Sequence, residues 1–126
     1  MAREAPNHLQ TGRAAEDAAL AYLGMNGLQL VERNYRTPLG EIDLVMKSTV
    51  DKTLVFVEVR YRRHQQFGSA AESVDRRKQK KLVAAAEHFL QHHKSYAQLP
   101  CRFDVVSFSG DVGNSSLQWY PNAFDR

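Results

Sequence analysis

A single cysteine, Cys101, is all that the 126 residues contain, so no internal disulfide can staple the fold. No apolar run approaches the roughly 20 residues needed to cross a bilayer, which excludes a membrane-spanning helix on length. The first twenty residues, MAREAPNHLQTGRAAEDAAL, lack the apolar core of a secretory signal. A reducing, cytoplasmic setting without a membrane partner is therefore expected. Internal repeats and low-complexity stretches are also missing, and 43% hydrophobic content is enough for one core without a structural metal. The expected division is a flexible N-terminus over 1–10 and one domain over 11–126.

The charge is small in sum but uneven in place. Net charge is +3, yet the stretch from Arg60 to Lys81 holds eight Lys or Arg residues against Glu72 and Asp75, a local balance of +6 that leaves −3 for the rest. Such a cluster suits a polyanion and would steer nucleic acid to one face, although a solvated loop and helix start would look the same.

Residues 12–26, GRAAEDAALAYLGMN, have helical composition, with Thr11 as a cap and Asn26-Gly27 as a stop. Strand patterns follow at 28–36, 41–47 and 54–61, separated by TPLG and STVDKT, and together they read as a β-meander. A second helix is expected from about Glu72 to His93, with Leu82, Ala86 and Phe89 on one stripe and Ala85 beside it. RFDVVSF (102–108) returns as a strand, and a short final strand is expected around LQWY (117–120).

Glu58 lies inside LVFVEVRY (54–61), the most strand-like stretch of the chain, where a carboxylate is costly unless something compensates it. Alternation places Glu58 and Arg60 in line with Leu54 and Phe56, and Asp43 on the face of Glu41 and Val45, opposite Ile42, Leu44 and Met46. A register pairing residue 43 with residue 58 would bring the two Cβ atoms roughly 4.5–5.5 Å apart, and a slip of one residue would separate them. Two carboxylates that close call for a shared proton or a cation, and Mg²⁺ is the simplest cation to fit them. The alternative is an ion pair from Glu58 to Arg60 or another cation, with Asp43 on a turn amide. Glu16 falls on the packing stripe of the first helix with Gly12, Ala19, Leu20 and Leu23, so a third acid is aimed at the sheet.

Other chemistries have weaker support. His88 and His92 have i, i+4 spacing, but there is no HExxH motif and no third ligand for zinc. His64 and His93 read as surface residues, and Cys101 as core or strand edge with no histidine to activate it. Trp119, Tyr120 and Phe124 are expected to pack the last strand rather than stack on bases, and Tyr35 and Tyr61 stay open.

GxxAE (Gly12 to Glu16), GEIDLV (40–45), VFVEVRYR (55–62) and a basic, Ala-rich second helix together resemble the YraN-like family of bacterial proteins, over roughly residues 11 to 124. That family in turn looks like the PD-(D/E)xK nuclease superfamily and especially archaeal Holliday junction resolvases. The resemblance implies an α/β fold with a restriction-endonuclease-like αβββαβ core, a mixed central sheet flanked by helices and a short terminal β addition, as a single nuclease-like domain. It implies Asp43 and Glu58 as ligands of Mg²⁺ or Mn²⁺, Glu16 as the helix acid and a supporting ligand of the same ion, and Arg60 at the position where the superfamily pattern has lysine. Arginine is always protonated, so Arg60 can orient water or stabilise charge but cannot act as a general base. Lys78, which extends the Leu82/Ala86 stripe toward the helix start, is the first candidate to supply the missing lysine.

The expected function is therefore a divalent-metal-dependent nuclease acting on DNA, with branched or damaged DNA in view, and Arg62, Arg63, Arg76, Arg77 and Lys81 as backbone contacts. A homodimer would fit symmetric cleavage of two strands. The alternative is a nucleic-acid-binding or protein-interaction module that kept the fold without turnover.

Overall fold

A computed structural model describes residues 8–62, 74–110 and 116–126. Helix α1 (His8–Met25) begins earlier than its composition predicts: His8, Leu9 and Gln10 are all tolerated in a helix, so Thr11 lies inside it instead of capping it. It ends as expected, where Gly27 adopts φ 91°, a left-handed conformation that glycine reaches without steric cost.

Strands β1 (Leu28–Thr37), β2 (Gly40–Ser48) and β3 (Leu54–Arg62) form an antiparallel meander. Strand β4 (Cys101–Ser109) lies parallel to β3, which requires a crossover, and helix α2 (Arg76–His92) with a single 3-10 turn (Lys94–Tyr96) sits in that connection. Strand β5 (Ser116–Phe124) is antiparallel to β4 and completes one five-stranded sheet in the order β1-β2-β3-β4-β5. The αβββαβ order and mixed sheet are those expected. Two further boundaries differ. The last strand runs for nine residues rather than four, with Pro121 tolerated because β5 is an edge. Helix α2 starts at Arg76 rather than near Glu72, because the Asp75 carboxylate caps it by accepting the Lys78 N–H at 2.9 Å.

Each face of the sheet carries its own core. Ala15, Ala19 and Leu23 of α1 pack with Leu44, Met46, Val55, Val57, Val106 and Phe108. Leu82, Ala85, Ala86 and Phe89 of α2, the predicted stripe, pack with Leu54, Phe56, Phe103 and Val105 on the other face. Gly12, expected on the α1 stripe, is exposed, since the buried line runs one residue round, through Ala15 and Ala19. Among the described residues, no helix is long and apolar enough to cross a membrane.

In β2, strict alternation fails between Ile42 and Leu44. Leu44 packs toward α1 as its neighbour Val45 packs toward α2, but Ile42 joins Val45's side instead of Leu44's, against the expectation from period two. The partner strand has a matching fault. Asn34 adopts φ 56°, and across it Arg33 reaches α1 whereas Tyr35 is buried with Phe89 of α2. Asn is among the few residues that enter the left-handed region readily. Arg33 opposes Leu44 and Tyr35 opposes Ile42, so the two faults lie side by side and leave Asp43 at the place where β2 changes face.

Candidate functional site

The β2/β3 ladder pairs Leu44 with Val57, and continuing that register by one step sets Asp43 across from Glu58. The Asp43 carboxylate accepts the Val59 backbone N–H at 2.8 Å and faces the Glu58 carboxyl across the ladder. Glu58 is only 5% exposed, in line with Phe56 under the start of α2. Burial, and then the neighbouring Glu58 carboxylate, push Asp43 up to about 8, with Glu16 adding to the rise and Lys78 opposing it. Burial also raises Glu58, against the pull of Lys78 and Arg60. At neutral pH the two carboxyls therefore share a proton.

Two cations approach Glu58, both at long range: Arg60 Nη1 at 3.5 Å and Lys78 Nζ at 3.7 Å from Oε2. The ion-pair alternative is thus present in part, and Asp43 does hold an amide, on a strand rather than a turn. These contacts do not cancel the repulsion, since Asp43 stays raised despite them. Lys78 stands beside the acids because α2 is fixed there by the Asp75 cap, by Gln79 Nε2 donating to the Val74 carbonyl at 2.8 Å, and by Gly40. A Cβ on Gly40 would lie 2.7 Å from the Lys81 carbonyl oxygen, so only glycine lets the hairpin start and α2 approach this closely. The turn before it is held by the Thr37 hydroxyl, which accepts from Leu39 N and Gly40 N and donates to the Gly40 carbonyl.

Arg60, Arg77, Lys78 and Lys81 with Asp75 line a pocket of about 260 Å³ beside the acids. A larger groove of about 590 Å³ runs along the other side of α2 and takes in Arg76, Lys80 and Glu87. Its lining includes neither Arg60 nor Lys78, the two cations that reach Glu58, so the small basic pocket is the better match to the chemistry. Of the expected backbone contacts, Arg77 and Lys81 line the small pocket and Arg76 belongs to the larger groove. Arg63 and the Arg62 side chain lie outside the described residues.

Glu16 is placed on the sheet-facing side of α1, but Arg33 holds it at 3.4 Å. Among the described residues, no three His, Cys, Asp or Glu side chains stand close enough to hold a metal together. The pair Asp43 and Glu58 is brought together; Glu16 acts on it through its field.

The histidines and Cys101 are occupied with packing. Tyr35 Oη and His88 Nδ1 are 2.6 Å apart, and the His88 and His92 rings stack at 4.0 Å. His93, expected at the surface, is half-buried against Phe89 at 4.0 Å and faces Glu32, because Phe89 and the edge of β1 enclose it. His64 lies outside the described residues. Burial raises the Cys101 thiol, which disfavours the thiolate. Trp119 packs against Tyr22 and Phe124 against Phe103, as expected of the last strand.

Sequence reasoning missed Asp104, 1% exposed, and Arg33 with its kink at Asn34. An Asn inside the strand-like run ERNYR was the available signal for the kink, and the i, i+2 pair Arg102 and Asp104 the signal for the buried carboxylate.

Residues 15–108, which include Glu16, Asp43, Glu58, Arg60 and Lys78, match the uncharacterised protein family UPF0102. The chain belongs to the UPF0102 family. A UPF0102 protein of Pseudomonas syringae pv. syringae (strain B728a) is 54% identical over 117 residues, 92% of this chain and 94% of its own. Another from Stutzerimonas stutzeri (strain A1501) is 52% identical over 115 residues, 91% of this chain and 94% of its own. The UPF0102 match agrees with the YraN-like resemblance and spans the acids and the basic helix start alike.

Proposed function

We propose that this UPF0102 protein is a divalent-metal-dependent nuclease that hydrolyses DNA phosphodiesters, with branched or damaged DNA as its preferred form. The observation that carries the reading is the Asp43–Glu58 pair: a half-buried and a buried carboxyl facing each other across the ladder, with Asp43 raised to about 8 even though Lys78 and Arg60 stand nearby. Hard oxygen donors of this kind fit Mg²⁺ or Mn²⁺, and Asp43 and Glu58 are the residues that would hold the ion. Bound there, it supplies Lewis acidity and lowers the pKa of an attacking water.

The chain's own cations do the rest. Lys78 and Arg60 carry fixed positive charge at the acids, where negative charge grows on the phosphoryl oxygens during cleavage. Arg60 keeps its proton and serves as a donor only. Arg77 and Lys81 in the adjoining pocket would take flanking backbone phosphates, which positions DNA without reading its sequence. The second reading, a DNA-binding module without turnover, is favoured by Arg60 at the position of the motif lysine; Lys78, arriving at Glu58 from α2, weakens that objection.

The test is cleavage of labelled linear, flap and four-way-junction DNA with Mg²⁺, Mn²⁺ or EDTA, comparing wild type with a folded Asp43→Ala/Glu58→Ala variant. Metal-dependent cutting that falls by at least about 100-fold in the variant is expected. Salt-sensitive binding by well-folded wild type without cutting in any metal would transfer the assignment to the module.

A further inference from the structure

Arg33 owes its position to the kink at Asn34. A regular strand would set it on the face of Tyr35, but it reaches the opposite face and bridges two successive acids of α1. Its Nη2 lies 2.6 Å from Asp17 Oδ1, a short contact that anchors the guanidinium, whereas its Nε lies 3.4 Å from Glu16 Oε1, near the limit of a hydrogen bond. Across the ladder Arg33 opposes Leu44, the residue next to Asp43. Glu16 is near enough for its charge to act on Asp43, yet among the described residues no third acid joins Asp43 and Glu58 in a ligand cluster.

We propose that Arg33 is a positioning residue that sets the divalent-cation affinity of the site, by holding Glu16 away from the Asp43–Glu58 pair that it would otherwise join. This rests on the metal reading above. The physical basis is ligand charge: a third carboxylate tightens a hard-cation site, and a guanidinium that engages that carboxylate withdraws it. Asp17, engaged more tightly by Arg33 and more exposed, fixes the guanidinium without itself facing the pair.

The experiment is a calorimetric titration of the full chain with Mn²⁺, free of nucleic acid, for wild type, Arg33→Gln, Arg33→Lys, Glu16→Gln and the Glu16→Gln/Arg33→Gln double variant. Arg33→Gln is expected to tighten Mn²⁺ by about three- to tenfold, and Arg33→Lys, which keeps the charge, to stay close to wild type. In the Glu16→Gln background the gain from Arg33→Gln should vanish, because Arg33 acts through Glu16. Arg33→Met retains the aliphatic stem and replaces the Gln variant if that one melts early. Unchanged or weaker binding in Arg33→Gln overturns the proposal while leaving the two-acid site intact. A gain that persists without Glu16 overturns it as well, since it marks a direct effect of the Arg33 charge. Absence of Mn²⁺ binding in every protein, wild type included, removes the Asp43–Glu58 metal site itself and this proposal with it.

Discussion

Asp104 on β4 and the Asp43–Glu58 pair on β2 and β3 are acids of one sheet, Asp104 and Glu58 buried and Asp43 half-buried, but they are supplied with very different surroundings. Asp104 receives Arg102 through Nε at 3.0 Å and Nη2 at 3.3 Å, the Trp119 indole N–H at 2.9 Å and the Asn122 backbone N–H at 2.9 Å. Asp43 receives one backbone N–H and faces a second acid. Four donors at Asp104 leave nothing for a ligand to do, and the carboxylate ties β5 to β4. At Asp43 and Glu58 the carboxyls stay raised although Lys78 and Arg60 approach Glu58, and a cation set between the two acids would relieve their repulsion. Burial alone therefore does not mark a candidate site; a carboxyl held raised against a neighbouring acid does.

The contrast can be broken most severely at Asp104. Asp104→Ala strands the Trp119 indole and the Asn122 amide and removes the partner of Arg102, so urea denaturation should show a loss of about 3 kcal/mol with Mn²⁺ affinity unchanged. A loss no larger than that of an ordinary surface change would erase the distinction between the two regions.

Asp43→Asn should act in the opposite direction. The folded protein keeps a proton on Asp43 up to about pH 8 that the unfolded chain releases near 3.8, so wild-type stability falls as pH rises through that window. The Asn variant still accepts the Val59 N–H but does not titrate. In EDTA it should be more stable than wild type by about 2 kcal/mol at pH 9 and no more stable below pH 4, read from paired unfolding curves. Equal slopes with pH for the two proteins would show that Asp43 is compensated after all.

The smallest effect tests the kink that separates Arg33 from Tyr35. Asn34→Val forces a β-branched side chain into the left-handed region and should cost about 1–2 kcal/mol, whereas Asn34→Gly should stay within about 0.5 kcal/mol of wild type. Thermal unfolding of the two variants side by side measures the difference. Equal stability would mean that the strand tolerates straightening and that Asp43 does not depend on it.

Much of this was legible in the residues. The faces of β3 follow from period two, which is why Glu58 and Arg60 could be aligned with Phe56, and the stripe of α2 follows from its apolar spacing, which put Lys78 near the acids. The paired faults at Asn34 and Asp43 were not legible, because an alternation rule assumes the regular strand that they interrupt. Nor was the full set of donors to Asp104, since the Asn122 N–H comes from beyond the short strand that the sequence led one to expect. His93 was misplaced for a similar reason: the Phe89 ring and Glu32 that surround it come from packing between elements, not from its own helix pattern.

Gly40 has a bearing on anyone who would move this site to another scaffold. Because the Lys81 carbonyl leaves room there for a hydrogen atom but not a methyl group, the distance from α2 to the hairpin is set by main chain against main chain. Choosing better rotamers for Lys78 or Glu58 cannot restore that spacing once it opens. A transplant of the acids and the lysine has to carry Gly40 with them, although it touches neither substrate nor metal.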